Sequence, residues 1–200
     1  QDEREDLATT FPALARLRGD GRASWLLGRP GLVDALLRTG ESLSPADFLC
    51  EADVYSAVWR SLIRRDEIHT PGTASPDDRE KAALSAGLRS LGLPSESVQG
   101  TASAELRSDG VLRVPNDPAL SAGDEFSTDL IRDFALCRLF LVEGWAALAS
   151  ARAPRWSIRA ARLGCQATFR AQGPSRAWTT LSAQFAEISD SHGERWLEVP

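Results

Sequence analysis

Few side chains in this 200-residue chain are of the types that do chemistry, and their spacing builds none of the familiar machinery. A Walker-type phosphate cradle needs a lysine inside a glycine loop, just ahead of Ser or Thr; the only lysine is Lys81, in Glu80-Lys81-Ala82. His69 and His192 are the only histidines. Both read as loop residues, and no C-x-x-C or H-E-x-x-H accompanies them to make a metal site. No G-x-S-x-G and no G-x-G-x-x-G occurs. Cys50, Cys137 and Cys165 are odd in number, widely spaced and set in apolar helical patterns, which reads as buried free thiols in a reducing compartment. These residues predict no catalytic site and no metal site.

Two stretches remain. Gly28-Arg29-Pro30 stands directly before the apolar helical pattern Leu32, Val33, Leu36, Leu37, so the start of that helix is specified more heavily than a start requires. Arg155, Arg159 and Arg162 form a basic row at helical spacing, read as a solvated or salt-bridged face rather than an anion or nucleic-acid contact.

The balance of charge narrows the partners. A net charge of −5 and a pI near 5.2 argue against a duplex-binding surface, which needs many phosphate contacts. Hydrophobic content of 42% and charged content of 26% suit a folded, soluble chain with its own core. No apolar run approaches the roughly 18 residues of a membrane span, and the chain reads as cytoplasmic. It opens Gln1-Asp2-Glu3-Arg4 and has no methionine, which reads as a piece of a longer polypeptide.

The elements that must position these residues are mainly α-helical. A helix is predicted around Leu7, Phe11, Leu14 and Leu17, then a turn at Gly19-Asp20-Gly21, then the helix after Pro30, ending at Gly40. Ser44-Pro45 reads as the cap and first turn of a long helix burying Val54, Tyr55, Val58, Trp59, Leu62 and Ile63. Ser75-Pro76 starts the next helix, which runs to about Leu91. A short helix over 104–109, a β-favouring segment at 110–114, a turn-rich insert and a return strand near Asp124 to Ser127 follow. A strong helix covers Asp129 to Glu143, its broad apolar girth interrupted chiefly by Arg138, which should find a carboxylate. Beyond Gly144 two further helices, marked by Trp156 and Leu163 and by Trp178 and Phe185, read as a stacked pair. Trp25, Trp59, Trp145, Trp156, Trp178 and Trp196 are expected in the core and between helices.

In this order the segments resemble the regulatory half of STAND-class P-loop NTPases, the NACHT and NB-ARC group. The resemblance rests on Gly28-Arg29-Pro30 as a G-x-P lid motif and on Phe126-Ser127-Thr128-Asp129 in the place of an F-x-H-D motif. It also rests on stretches similar to large bacterial NACHT-like proteins at residues 29–34, 51–59 and 154–163, and it covers most of the chain from about residue 10. It implies a helical lid segment at 1–43, a winged-helix domain with a short β-hairpin at 44–143, and the start of an α-α superhelix at 144–200. It implies that Gly28 and Pro30 face the nucleotide's base, Gly28 by letting the backbone come close and Pro30 by offering a rigid apolar face. Thr128 stands where the family places a phosphate-contacting histidine; it can donate a hydroxyl hydrogen but carries no charge, and Arg132 could supply one.

The function so implied is that of a non-catalytic cover and signal relay. ATP or ADP binds in the longer protein, and none binds tightly to this chain alone. The partners are a P-loop domain and a C-terminal helical array of the same polypeptide, with homo-oligomerisation on activation, in signalling or defence; neither nucleic acid nor a membrane is an expected partner. Two rival readings are a winged-helix DNA-binding regulator and a helical protein-interaction scaffold with no nucleotide role.

Overall fold

Ser75 and Thr128 each do what a hydroxyl residue does best ahead of a helix. Their side-chain oxygens accept the backbone N–H of Asp78 and Ile131, at 3.1 and 3.3 Å, and each fixes the start of a fifteen-residue helix. The computed structural model describes residues 24–39, 48–67, 72–96, 100–115 and 123–200. Within them the chain is mainly helical, with a small two-stranded antiparallel sheet, and it divides into two compact units at Leu62/Ile63.

In the first unit, α1 (Ser24–Leu27) leads into α2 (Pro30–Leu37), and α3 (Glu51–Val58) follows. Leu32, Val33, Ala35 and Leu36 are buried on α2, as are Val54, Tyr55, Val58 and Trp59 along α3 and its continuation. After Val58 the helix widens into a π-type turn, Trp59–Arg64. The start of α3 differs from the expectation at Ser44-Pro45, residues outside those described: the helix begins at Glu51. The Asp53 carboxylate accepts the N–H groups of Leu49 and Cys50, at 2.8 and 3.0 Å, and so closes the first turn there. The helix expected near Leu7 to Leu17 and the turn at Gly19-Asp20-Gly21 also lie outside the described residues, as does His69.

The second unit follows the expected order of helices and hairpin. Helix α4 (Pro76–Ser90) packs on α5 (Thr101–Ser108) and on α6 (Asp129–Glu143), and between them β1 (Leu112–Arg113) pairs antiparallel with β2 (Glu125–Phe126). Helix α5 starts three residues earlier than the sequence suggested. Then come α7 (Ala146–Ser150), a 3-10 turn (Arg155–Ser157), α8 (Ile158–Gln172), α9 (Pro174–His192) and a last 3-10 turn (Glu194–Glu198). Gly173 adopts φ +80°, the left-handed conformation in which glycine is unstrained, and separates α8 from α9 by a single residue. A row of aromatic contacts, Phe140 to Trp145 at 5.4 Å, Trp145 to Phe185 at 4.8 Å and Phe185 to Trp196 at 6.4 Å, joins α6, α9 and the last turn. Gly164 makes room for it: a Cβ there would lie 2.8 Å from the Trp145 ring.

The structure corrects several expectations. Trp156 and Trp178 are 41% and 53% exposed and do not belong to the core, and Leu141 and Val142 face solvent at the end of α6. Cys50 is only half-buried, because it caps α3 instead of lying within it; Cys137 and Cys165 are buried and free. His192 closes the last turn of α9 and is no loop residue. No helix among the described residues is long and apolar enough to cross a membrane.

Charge also holds the second unit together, at one turn of α4. Arg79 is 1% exposed. Its guanidinium donates to the Ile63 carbonyl (2.7 Å), to Glu105 (2.9 Å) and to Asp109 (2.6 Å), tying α4 to α5 and to the end of the π-type turn. Glu105 also accepts the Ala74 N–H, and that bond, with Arg79, holds its carboxyl below the usual range. The neighbouring Glu80 is paired with Arg64 and, at 2.5 Å, with Arg138 of α6, the carboxylate that Arg138 was expected to find. Burial would raise the Glu80 carboxyl, but the two arginines outweigh it and the group stays below its ordinary value. Removing Arg79 leaves the Glu105 carboxylate without its ion-pair partner, leaves Asp109 to Arg65, and breaks the tie to the Ile63 carbonyl. Arg79→Ala is expected to destabilise by about 3–5 kcal/mol in urea unfolding, against under about 1 kcal/mol for Arg113→Ala, whose ion pair is exposed. Equal effects of the two substitutions would contradict this.

Candidate functional site

The start of α6 is held in place from both sides. Leu112 stands opposite Phe126 and Arg113 opposite Glu125 in the hairpin. Ser127 then donates its N–H to the Val111 carbonyl (3.0 Å) and its hydroxyl to the Gly110 carbonyl (2.5 Å). The segment carrying Phe126-Ser127-Thr128-Asp129 is therefore fixed to β1 before the helix begins. Thr128 caps that helix, so its oxygen is already an acceptor and what it can still offer is its hydroxyl hydrogen.

Beside this start lies a cavity of about 280 Å³, lined by residues of α4, the hairpin and α6 that include Arg89, Arg113, Thr128, Asp129 and Arg132. Thr128 and Arg132, singled out in the sequence, are thus brought together on one wall. Arg89 and Arg113 are additions that the sequence did not flag; two arginines among many, in unrelated segments, give no signal until the hairpin folds against α4.

The charges of this wall are unequally engaged. Arg113 lies 3.6 Å from Glu125. Asp124 and Glu125 also line the cavity; the two Asp124 carboxylate oxygens accept from Arg107 at 2.9 and 2.7 Å. Arg89 donates to the Ser85 hydroxyl (2.9 Å) and toward the Asp124 backbone carbonyl (3.4 Å), while its buried Nε has no hydrogen-bond partner. Arg132 pairs with Asp129 at 2.9 Å and lies 3.5 Å from Asp133; its guanidinium stacks 4.4 Å from the Trp156 ring, and its Nε too has no partner. An anion is the chemistry that two partly satisfied guanidiniums and a free hydroxyl hydrogen fit.

Asp133, an acid within α6, was not singled out in the sequence. It is buried beside Arg132, and Arg159 reaches it from α8 at 4.0 Å. Burial outweighs both cations and raises its carboxyl to about 6. The basic row is divided by the fold: Arg155 lies in the 3-10 turn, while Arg159 and Arg162 lie on α8, all three exposed.

Gly28 and Pro30 belong to the first unit and lie one residue apart at an exposed turn. Pro30 is the first residue of α2, and the Gly28 N–H donates to the Trp25 carbonyl at 3.2 Å. Arg29 between them is ion-paired with Glu51 and stands 5.6 Å from the Trp25 ring, so its side chain fastens α2 to α3 and leaves the proline face open.

Comparison with protein-family models, with curated proteins and with solved structures finds no match to this chain.

The position of Asp133 has a pH consequence. An aspartate of ordinary value 3.8 is raised to about 6 in the fold, so between these values the folded state holds a proton that the unfolded chain has released. The contribution of this group is fully present below the lower value and is lost as pH rises through the upper one. Replacing Asp133 by Asn removes the dependence. The stability of the variant relative to wild type should rise by about 2–3 kcal/mol from about pH 4 to about pH 8. A difference that stays flat, or slopes the other way, would show that Asp133 is charged throughout.

Proposed function

We propose that this chain is the non-catalytic regulatory cover of a nucleotide-dependent switch, a lid segment and winged-helix-like unit leading into helices that relay a signal. The observation that carries this reading is the cavity in which Thr128 and Arg132, at the start of α6, meet Arg89 and Arg113. At about 280 Å³ it stands at the small end of ligand pockets, which run from about 300 Å³ upward, and the guanidiniums on its wall suit a phosphoryl group. ATP or ADP, held by a P-loop domain of the longer polypeptide, would supply that phosphoryl charge. Arg89 and Arg132 would meet it with their guanidinium N–H groups and Thr128 with its hydroxyl hydrogen. In the first unit, the exposed Gly28-Arg29-Pro30 turn offers an apolar face of the kind a base takes.

In this role the chain works in the cytoplasm by differential affinity. Contacts made to the nucleotide only in the closed state oppose whatever signal the C-terminal helices receive, and opening permits self-association. Helix α6 is suited to the relay, because it packs on both α4 and α8, so a shift at one face must move the other. A duplex-reading role fits α5 poorly: Glu105 is spent on Arg79 and Ala74, and Arg107 on Asp124.

The test uses the longer polypeptide that carries this chain. Arg132→Ala and Pro30→Ala are each expected to speed ADP release by about fivefold to tenfold, the loss of one charge-assisted bond or one apolar contact. Release unchanged in both variants would refute the cover and leave the helical scaffold as the better description.

A further inference from the structure

The charge of this chain is very unevenly spread. Between residues 144 and 186 there are six arginines, Arg152, Arg155, Arg159, Arg162, Arg170 and Arg176, and no Asp or Glu, so the rest of a chain of net charge −5 carries −11. All six arginines are exposed. At 3.6 residues per turn, Arg159, Arg162 and Arg170 fall within roughly 80° of the α8 circumference, a stripe about 16 Å long. The opposite side of α8 buries Ala160, Ala161, Leu163 and Cys165 in the core, so the stripe rests on a rigid support. Two exposed indoles flank it in the chain: Trp156, beside Arg155 in the turn that opens α8, and Trp178, in the first turns of α9 just past Arg176. Core-forming residues gain nothing by such exposure, and neither indole is needed to fill the aromatic row of Phe140, Trp145, Phe185 and Trp196.

We propose that this α8–α9 face binds single-stranded nucleic acid, the arginine stripe following the phosphodiester backbone and the two indoles stacking unpaired bases. Guanidinium forks match phosphate oxygens in geometry and stay charged at every physiological pH. Exposed aromatic faces beside a basic track are what a single strand can use and a duplex, with its bases already stacked, cannot. The Arg132 guanidinium on the Trp156 ring, at 4.4 Å, holds that indole in position and adds a further positive charge beside it. An acidic peptide would use the arginines but leave both indoles idle. The expectation drawn from net charge averages over the whole chain; recognition responds to the local field.

The experiment is fluorescence anisotropy with the full chain and a labelled oligothymidylate of about 20 nucleotides over a salt series, with the matching duplex and a polyglutamate peptide as competitors. Single strand should bind more tightly than either competitor. The triple variant R159A/R162A/R170A should weaken binding by about tenfold or more and flatten the log–log salt slope by about 2, close to 0.7 for each phosphate that is no longer neutralised. Trp178→Ala should weaken binding by about tenfold with the slope unchanged, since stacking carries no counterion release. Lys81→Ala, which removes one exposed charge on α4, should change affinity less than about twofold. Circular dichroism should match wild type; the thermal midpoint should fall only with the Arg159 change, which removes a cation 4.0 Å from Asp133, and the double variant R162A/R170A should keep the wild-type midpoint. No oligonucleotide binding at low salt, equal displacement by polyglutamate, or wild-type affinity in the triple variant would each overturn the proposal. Such a failure would leave the nucleotide-cover reading untouched, because that reading makes no use of Arg162, Arg170 or Trp178.

Discussion

A guanidinium with almost no access to water must have its donors met inside the protein, and Arg79 is such a group. Its partners are a carbonyl at the end of the π-type turn and two carboxylates one helical turn apart, Glu105 on α5 and Asp109 just past its end. Once they are in place, α5 can lie on α4 in only one register. The next residue, Glu80, makes the complementary demand: a carboxylate that needs cations finds Arg64 on one side and Arg138 of α6 on the other. One turn of α4 therefore fixes three neighbours by charge, and apolar packing completes what that turn has set. The hairpin and the start of α6 follow, and with them the cavity that gathers Arg89, Arg113, Thr128 and Arg132. Apolar packing alone tolerates small slides of one helix on another; directional, charge-assisted bonds do not.

Much of the helical order was legible because its signals are local. Ser75-Pro76 and Thr128 announce helix starts by their own chemistry, and the bounds Asp129–Glu143 follow from a capping hydroxyl at one end and Gly144 at the other. The apolar faces of α2, α3 and α9 follow from their periodicity. What stayed hidden depends on residues distant in sequence. Nothing near Arg79 says that it is buried; the cause lies 26 and 30 residues away, in Glu105 and Asp109. The widening of α3 after Val58 and the start of that helix at Glu51 were hidden too; at that start the Asp53 carboxylate takes up the N–H groups of Leu49 and Cys50. Trp156 and Trp178 show how composition misleads: tryptophan is usually packed, but helical position, not residue type, put these two in solvent.

The candidate site was half legible. Thr128 and Arg132 lie one turn apart on α6, so their meeting is a matter of helix geometry, whereas Arg89 and Arg113 join them only through the hairpin's register. Gly28 and Pro30 were legible as a specified turn, and the structure adds that Arg29 is spent on Glu51. The two proposed sites share Arg132 but call on different ligand chemistry. One needs a small anion at a partly satisfied guanidinium pair; the other needs a polyanion along an exposed helix face.

The most direct measurement on the small-anion site is nuclear magnetic resonance of the arginine Nε–H groups while ADP, pyrophosphate or adenosine is added to the chain, because it senses weak contacts that equilibrium binding assays miss. The expected result is a saturable shift of the Arg89 and Arg132 resonances with ADP and with pyrophosphate, and none with adenosine. Resonances that ignore both phosphates, or that respond equally to adenosine, would contradict a phosphoryl-sensing role for this cavity.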